Sequence, residues 1–477
     1  MYGVWTTEQV KAAEDVLLAK TPDGALMRRA AYGLAGRALA MLRDRTGGVT
    51  GRRVVLLVGA GNNGGDALWA GYFLRRRGVG VSAVLLAPDR AHPVGLAAFR
   101  RAGGRLVSSV SDADLVIDGI VGLSARGPLR PAAAELVASV TAPILAVDLP
   151  SGVDPNTGAV DGPAVRADET VTFGARKPVH VLSEGAVRSG EVHLVPLGLD
   201  LPDPDVVVLE AADVGHAWRV PGPTDDKYSQ GVVGVAAGSA TYPGAAVLSC
   251  GAAVLATSGM VRYAGWAADE VRSRWPEIVA TGSVEDAGRV QSWIVGPGLG
   301  TGQAGRAVLT SVLDEGVATI VDADGITLLA GDPSLWDARD PDAPVVLTPH
   351  AGEFARIAEP LGITLGADRV AATRELAARL RCVVLLKGNT TVVAAPDGRA
   401  LVNPATSSWL ATAGSGDVLS GLIGALLATG LDPWLAAGCA SWVHETAGTL
   451  AAADAPVPAS LILQAIPDAI RTARAAI

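Results

Sequence analysis

The sequence contains little cysteine and little lysine, and it has no excess of positive charge. Its three cysteines lie far apart among 477 residues, which excludes a dense disulfide framework and a paired-cysteine zinc site. The net charge of -9 provides no basic field that would attract nucleic acid or anionic lipid. Only five of the 39 basic residues are lysines, so a lysine inside a motif is a rare choice. We therefore expect a cytoplasmic protein that binds neither nucleic acid nor a membrane.

Signals for export and for membrane insertion are missing as well. The first residues, Met1 to Lys20, lack the basic and then apolar order of a signal peptide, so we expect no secretion. One long stretch, Tyr228 to Val261, carries no charge, but it is interrupted by Gly238 and Pro243. We predict a buried strand, a glycine-rich turn and a buried helix there rather than a bilayer helix.

Short apolar runs alternate with helical segments rich in alanine and leucine, which is the pattern of parallel sheets covered by helices on both faces. A chain of this length usually forms two or three domains. Proline and aspartate accumulate between residues 200 and 225, and the alternation begins again afterwards. We predict two α/β domains, residues 1–212 and 213–477. The buried strands predicted in the first are Arg52–Gly61, Val81–Ala87, Asp114–Ile120 and Pro143–Pro150.

A glycine-rich turn follows the strand that ends near Val58 and opens a helix. Backbone N–H groups at a helix start attract anions, and glycine lets a pyrophosphate approach the backbone closely. Such a turn is weak evidence by itself, because tight turns need glycine anyway. Three polar side chains in the same turn, Asn62, Asn63 and Asp66, favour a binding site.

Acidic residues stand at the ends of two further predicted strands. Asp118 ends one of them, and Asp148 ends the other, followed by Ser151. The carboxyl ends of parallel strands meet at one edge of the sheet, where α/β folds build their sites. One acid could simply cap a helix or fix a loop, whereas two beside an Asn-Gly turn indicate a site. Oxygen donors from Asn63, Asp118 and Ser151 suit a hard cation better than zinc.

At these residues the sequence resembles the N-terminal epimerase domain of the NAD(P)H-hydrate repair enzymes. The resemblance rests on NNGGD, GLSARGP, DLPSG and TFGARKP, and it implies a Rossmann-like three-layer sandwich. It implies that Asn63, Asp118 and Ser151 hold a potassium ion, and that Asp148 and Lys177 are catalytic. The substrate-binding residues that it implies are Asn62, Asn63, Gly64, Gly65, Asp66, Gly122, Leu123, Ser124, Ala125, Arg126, Gly127, Pro128 and Asp148.

The second half contains a Gly-Ser-Gly turn, Gly414 to Gly416, before an apolar helix, and Asp417 follows at once. Helix capping alone would explain the aspartate but does not require two glycines around the serine. The pattern favours a ring of backbone N–H groups for a moving phosphoryl group, with an aspartate base beside it. Upstream, Lys387 ends a strand and precedes Gly388 to Thr391. A hairpin turn would explain Gly388 and Asn389, but not the scarce lysine.

This half resembles the ribokinase-like fold and, within it, the nucleotide-dependent NAD(P)H-hydrate dehydratases. The motifs VGPGLG, DADG, TPHAGEF, KGNTT and GSGDVLSG occur in the order of that family. The resemblance implies that Asp417 is the catalytic base and that a magnesium ion accompanies ADP. The nucleotide-binding residues that it implies are Lys387, Gly388, Asn389, Thr390, Thr391 and Gly416. The hydrate-binding residues that it implies are Ala246, Gly298, His350 and Asp417, although a lone histidine is more often structural.

Together the two resemblances imply one pathway, in which hydrated NADH or NADPH is epimerised and then dehydrated at the expense of ADP. The small-molecule partners are these hydrates and ADP, and we expect a homo-oligomer. Two alternatives stay open at this point. One is a kinase of pyrimidine or thiazole alcohols, and the other treats the N-terminal half as a non-catalytic ligand-binding or scaffold module.

Overall fold

The computed structural model describes residues 1–110, 112–124, 126–256, 259–405 and 408–477. The chain forms two compact units, Gly3–Asp205 and Val206–Ile477, the second of which also includes Met1–Tyr2. Each unit contains a β-sheet with helices packed against it, so the predicted α/β class is confirmed. Ala125, which the sequence predicted to bind the substrate, lies outside the described residues.

The N-terminal unit has a seven-stranded sheet in the order β4-β3-β2-β5-β6-β7-β8, and every neighbouring pair is parallel. The elements up to the end of this sheet are, in chain order, β1 (Tyr2–Val4), α1 (Thr7–Leu18), α2 (Ala25–Thr46), β2 (Arg53–Val58), α3 (Asn62–Arg75), β3 (Gly80–Leu85), a 3₁₀ turn (Pro88–Arg90), α4 (Pro93–Arg101), β4 (Arg105–Leu106), β5 (Leu115–Gly119), α5 (Pro131–Ala138), β6 (Ile144–Val147), β7 (Glu169–Phe173), a 3₁₀ turn (Pro178–His180), α6 (Ser183–Ser189) and β8 (Glu191–Val195).

The strand order places the candidate site of this unit. The chain runs outward from β2 through β3 to β4 and then returns to the other side of β2 as β5, so the order reverses between β2 and β5. Ligands bind outside the carboxyl ends of the strands at such a reversal, because the loops there diverge and leave a crevice. Val58 at the end of β2 is paired with Gly119, which directly follows Asp118. The glycine-rich turn and the first acidic strand end are therefore neighbours.

The C-terminal unit has a larger sheet, whose strands from β9 onward follow the order β9-β18-β17-β16-β15-β14-β13-β10-β11-β12. Its elements are β9 (Val206–Val208), α7 (Ala211–Ala217), β10 (Val232–Ala236), α8 (Pro243–Leu255), β11 (Met260–Ala264), α9 (Ala268–Arg274), β12 (Val279–Thr281), β13 (Ser292–Val295), α10 (Gln303–Asp314), β14 (Ala318–Val321), α11 (Asp324–Gly331), a 3₁₀ turn (Pro333–Ala338), β15 (Val345–Leu347), α12 (Ala351–Ala358), a 3₁₀ turn (Glu359–Leu361), α13 (Arg369–Leu380), β16 (Val383–Leu386), β17 (Thr390–Ala394), β18 (Ala400–Pro404), α14 (Ser415–Ala428), α15 (Pro433–Ala452) and α16 (Ala459–Arg474).

Helix α14 lies at the centre of the hydrophobic core of the C-terminal unit, because every residue from Val418 to Ala428 is buried. Small residues let α8 pack closely against it: a Cβ at Gly421 would lie 2.4 Å from the carbonyl oxygen of Ser249. The uncharged stretch from Tyr228 forms β10 and α8, as predicted. Among the described residues no helix combines the length and the apolar character that crossing a bilayer requires.

Candidate active sites in the two units

A cavity of about 1160 Å³ lies at the carboxyl ends of the strands in the N-terminal unit. It collects most of the residues that the sequence predicted to bind the substrate of this half. The predicted residues that line it are Asn62, Asn63, Asp66, Gly122, Leu123, Ser124, Arg126, Gly127, Pro128 and Asp148. The turn after β2, the loop after β5 and the end of β6 therefore form one pocket.

Gly64 and Gly65 belong to the same predicted set, but they are buried in the first turn of α3. A Cβ at Gly64 would lie 2.4 Å from the carbonyl oxygen of Gly59, and a Cβ at Gly65 would lie 2.9 Å from the ring of His92. These glycines let the helix start pack against its surroundings. Packing is thus a sufficient reason for both.

Asp148 and Lys177 form a buried ion pair at the floor of the cavity, with 2.5 Å between Lys177 Nζ and Asp148 Oδ1. The ammonium group also donates to Thr172 Oγ1 at 2.8 Å and to the carbonyl of Phe173 at 3.0 Å, so its three protons are all used. Burial by itself would raise the pKa of Asp148, but the Lys177 charge and its hydrogen bond outweigh burial and lower that pKa. Asp148 is therefore an ionised carboxylate, and its backbone has a φ of 68°, in the left-handed region.

His180 forms hydrogen bonds with the backbone of both Asp148 and Lys177. Its Nδ1 accepts a hydrogen bond from the Lys177 backbone N–H at 3.0 Å, so the ring proton must be on Nε2. Nε2 then donates to the Asp148 carbonyl at 2.8 Å. Burial and the Lys177 charge lower the pKa of His180 to about 4, which keeps the ring neutral at physiological pH. Sequence analysis missed His180, although it stands only three residues after Lys177.

The predicted potassium ligands are joined by hydrogen bonds beneath the cavity. Ser151 Oγ donates to Asp118 Oδ1 at 2.7 Å and accepts from the N–H of Val121 at 3.1 Å. Asn63 Nδ2 donates to the Val121 carbonyl at 2.7 Å, which leaves the Asn63 side-chain oxygen available. Burial raises the pKa of Asp118 to about 6 although the Ser151 backbone N–H donates to it. Among the described residues no basic side chain forms an ion pair with Asp118, so an added cation would supply the missing positive charge.

Besides Asp148, the cavity is lined by the acidic residues Asp66, which the sequence predicted, and Glu14. Burial, followed by repulsion from Asp148 and Glu14, raises the pKa of Asp66 well above its ordinary value. Burial also raises the pKa of Glu14, and Asp148 adds to that effect. Glu14 was not singled out from the sequence, because α1 precedes the sheet and contains no glycine-rich or strand-end signal. Only the fold brings it to the cavity.

In the C-terminal unit, α14 begins at Ser415 directly after Gly414, whose φ is 85°. Asp417 lies in the first turn of the helix, as predicted. Burial raises the pKa of Asp417 to about 7, repulsion from Asp322 and Asp324 adds to the rise, and Lys387 opposes it. A carboxyl group with this pKa can exchange a proton at physiological pH, which is what a general base requires.

Lys387 links the acidic groups around Asp417. Its Nζ donates to Asp322 Oδ1 at 2.9 Å and lies 3.8 Å from Glu353 Oε2. The second Asp322 oxygen accepts from Ser420 Oγ at 2.9 Å. Burial would lower the pKa of Lys387, but Asp322 and Glu353 outweigh burial and raise it. Asp322 belongs to the DADG motif, and sequence analysis did not name it as a site residue.

The predicted nucleotide-binding residues after Lys387 form the turn and the start of a β-hairpin, because β16 and β17 are antiparallel. Gly388 and Asn389 lie in the turn, as the hairpin interpretation requires. Thr390 and Thr391 begin β17, where Thr390 is buried. Gly416 lies close to the lysine, since a Cβ there would be 3.5 Å from Lys387 Nζ. The fold therefore brings Lys387 next to the start of α14.

Two of the four predicted hydrate-binding residues lie at α8, and a third is the N-cap of α12. Ala246 is fully buried in α8, and Gly298 packs against the start of the same helix, where a Cβ would lie 2.9 Å from Tyr242 Cβ. His350 caps α12: its Nδ1 accepts from the N–H of Gly352 at 2.9 Å, and its own N–H donates to Glu353 at 2.9 Å. This cap gives His350 a structural role and also fixes Glu353 beside Lys387.

One further group of possible metal ligands occurs among the described residues, formed by Glu169, Glu191 and His193 on β7 and β8. Arg37 binds both oxygens of Glu169. The guanidinium group thus neutralises Glu169, and a metal ion would have to displace it. This group is separate from the cavity.

Comparison with known proteins finds a matching family for each half of the chain. The family NAD(P)H-hydrate dehydratase matches residues 233–470, and the family YjeF-related protein N-terminus matches residues 23–179. A bifunctional NAD(P)H-hydrate repair enzyme from Mycobacterium leprae is 57% identical over 483 residues, which cover 100% of both chains. Its namesake from Mycobacterium tuberculosis is 60% identical over 435 residues, which cover 90% of both chains.

Among solved structures, a ribokinase-like superfamily protein from Enterococcus faecalis aligns with a TM-score of 0.51 at 22% identity. The alignment covers 57% of this chain and 98% of that chain. The predicted ribokinase-like fold is thereby confirmed. Because relatives of high identity cover the chain from end to end, it belongs to the family of bifunctional NAD(P)H-hydrate repair enzymes.

Proposed function

We propose that the chain repairs hydrated NADH and NADPH in two steps, with residues 1–212 epimerising the R and S hydrates and residues 213–477 dehydrating the S hydrate. The second step consumes ADP and gives NAD(P)H, AMP and phosphate. The observation that supports this proposal most is that each half has a buried aspartate near a lysine. The Lys177 charge outweighs burial and lowers the pKa of Asp148, whereas burial raises the pKa of Asp417 to about 7 although Lys387 opposes the rise. A cytoplasmic location and a homo-oligomer stay predictions.

In the epimerase half, Asp148 is the group that exchanges a proton with the substrate. Lys177 keeps it ionised, and the neutral ring of His180 fixes its backbone. The size of the cavity, about 1160 Å³, is sufficient for a dinucleotide, and Arg126 in its wall suits the phosphates. The turn from Asn62 to Asp66 and the loop from Gly122 to Pro128 hold the damaged dinucleotide.

Asn63, Asp118 and Ser151 would hold a potassium ion in this half. The three side chains offer amide, carboxylate and hydroxyl oxygens, and their low total charge suits a monovalent ion. The fit rests on Asp118, a fully buried carboxyl group that receives hydrogen bonds from Ser151 and from the backbone N–H of Ile120. When bound, the ion would supply positive charge near the cavity and so favour binding of an anionic dinucleotide.

In the dehydratase half, hydroxide is a poor leaving group, so the ring hydroxyl is first phosphorylated. Asp417 takes the hydroxyl proton as the oxygen forms a bond to the β-phosphorus of ADP and AMP leaves. The backbone N–H groups from Gly414 to Gly416 stabilise the charge on the moving phosphoryl group. The electron pair of the ring nitrogen then expels phosphate, and loss of a proton from the neighbouring ring carbon gives NAD(P)H.

Lys387 binds the nucleotide phosphates, together with Gly388, Asn389, Thr390, Thr391 and Gly416. The carboxyl groups of Asp322 and Glu353 beside it are the oxygen donors that Mg²⁺ prefers, so they would hold a magnesium ion, which would supply positive charge for the substrate phosphates. Ala246, Gly298, His350 and Asp417 would contact the hydrate. These assignments follow the positions of the family motifs.

The test is a mixture of R and S hydrates, incubated with ADP, Mg²⁺ and K⁺, in which recovery of reduced-nicotinamide absorbance is followed. The parent chain should convert the whole mixture. Asp148→Ala should stop at partial recovery, because only the S hydrate is consumed. Asp417→Asn should lower the dehydration rate by roughly a hundredfold or more, the usual scale for a positioned base, and should still epimerise.

Matched controls are Asp44→Asn and Asp314→Asn, which change exposed aspartates in the N-terminal and C-terminal units. Both should convert the mixture like the parent chain, in an assay that is short compared with spontaneous epimerisation. No recovery by the parent chain would refute the proposal. A stable phosphorylated product on thin-layer analysis would favour the alcohol-kinase alternative. Complete conversion by Asp148→Ala would favour a non-catalytic N-terminal half.

A further inference from the structure

Helix α1 and the residues just before it form hydrogen bonds with loops near the Asp148–Lys177 pair, although α1 precedes the whole seven-stranded sheet in the chain. The N–H of Trp5 donates to the carbonyl of Arg176 at 3.0 Å, next to Lys177. The N–H of Thr7 donates to Asn156 Oδ1 at 2.9 Å. Val10 is completely buried, so the helix packs tightly on this side. The position of α1 relative to the cavity is therefore fixed.

Glu14 is the residue of α1 that this attachment brings to the cavity. It is partly buried, and it lines the same cavity as Asp66 and Asp148. Its carboxyl group makes no hydrogen bond or ion pair with any residue that the structure describes. Most glutamates on a helix surface are hydrated by bulk water. Glu14 instead lines the cavity in which a substrate would lie. It is free to contact that substrate.

The charges around Glu14 come from three directions. Lys11 and Asp15 lie on its own helix, Asp66 on α3, and the Asp148–Lys177 pair at the floor of the cavity. Burial raises the pKa of Glu14, repulsion from Asp148 raises it further, and attraction to Lys177 opposes the rise. The pKa of Asp148 is shifted the other way, below its usual value. Two carboxyl groups whose pKa values are pushed apart in one cavity are the arrangement that separates an acid from a base.

We propose that Glu14 is a catalytic residue of the epimerisation, the acid that protonates the departing hydroxyl group while Asp148 acts as the base. This inference rests on the proposed epimerase function. The carbon–oxygen bond breaks as Glu14 gives its proton to the hydroxyl, which leaves as water, and the ring nitrogen's electron pair forms a carbon–nitrogen double bond. Water then attacks the opposite face, the nitrogen recovers its pair, and Asp148 takes one proton from that water. Solvent returns this proton to Glu14.

The test is Glu14→Gln in the full chain, with interconversion of the purified hydrate epimers followed by chromatography in the absence of ADP. The kcat of epimerisation should fall about a hundredfold or more, and KM should change little, because the amide keeps the shape of the side chain. In the parent chain kcat/KM should decline as rising pH removes the proton from Glu14. Glu14→Gln should lack that decline.

Glu135→Gln, the same exchange at an exposed position of α5, is the matched control and should behave like the parent chain. Dehydration of the S hydrate by Glu14→Gln should be unchanged, which reports that the C-terminal unit is folded, and the nearly unchanged KM of epimerisation reports that the N-terminal cavity is intact. An unchanged kcat, or a decline with rising pH that persists in Glu14→Gln and disappears in Asp66→Asn, would overturn the role of Glu14. Absence of epimerisation by the parent chain would instead refute the proposed function of the whole N-terminal half.

Discussion

The raised pKa of Asp417, the proposed base of the dehydratase half, predicts that ionisation of this residue destabilises the folded protein. Folding raises this pKa from 3.8 to about 7, so the folded protein binds the proton more tightly than the unfolded chain. The stability that Asp417 contributes is complete below pH 3.8 and is lost as pH rises through about 7. A shift of about three units corresponds to about 4 kcal/mol, at about 1.4 kcal/mol per unit.

Asp417→Asn removes the ionisation and keeps the size of the side chain. We expect the ligand-free variant to be more stable than the parent chain by up to about 4 kcal/mol at pH 8 and by about 2 kcal/mol at pH 5. Urea unfolding followed by tryptophan fluorescence measures this difference in stability. The fluorescence reports mainly on the C-terminal unit, because all of the ten tryptophans except Trp5 and Trp69 lie there. Asp314→Asn is the exposed control and should leave the unfolding midpoint unchanged at both pH values. A variant with no gain at pH 8, or with the same gain at both pH values, would refute the reasoning.

Two other substitutions test the lysines. Lys387→Ala should weaken ADP binding by about 1.5–3 kcal/mol, the range for a charged hydrogen-bond contact, and unchanged affinity by calorimetry would remove Lys387 from the nucleotide site. Lys177→Met leaves the Asp148 carboxylate buried without its partner and should destabilise the N-terminal unit by about 3–5 kcal/mol at neutral pH. Hydrogen exchange of amides in β6 and β7 measures that loss, and protection equal to that of the parent chain would contradict it.

The sequence was sufficient to predict the parts of both sites that follow from strand ends and glycine turns. Asp118 and Asp148 end parallel strands, and the geometry of a parallel sheet brings such ends together whatever the side chains do. Asp417 follows a Gly-Ser-Gly turn, and the backbone of that turn determines where the helix begins. In these cases local pattern and overall fold depend on the same few residues.

Other residues of the sites could not be predicted, because their roles depend on contacts between distant parts of the chain. Glu14 reaches the cavity only because Trp5 and Thr7 bind backbone and side-chain groups that lie far along the sequence. Asp322 is important because it pairs with Lys387, 65 residues away. Neither spacing nor composition indicates such pairings. The role of His180 likewise follows from one hydrogen bond that fixes its ring proton.

The left-handed backbone of Asp148 has a consequence for any attempt to make this protein more heat-resistant. A non-glycine residue in that region costs of order 1–3 kcal/mol, which glycine would largely recover and asparagine would reduce. Substitution of Asp148 by glycine would relieve that strain, but it would also leave the buried Lys177 ammonium group without its carboxylate, a loss of about 3–5 kcal/mol that exceeds the gain. A laboratory screen that rewards survival at high temperature would therefore retain Asp148 in spite of its backbone, unless a second substitution replaced Lys177 with an uncharged residue. Scoring turnover as well as survival would exclude such double variants.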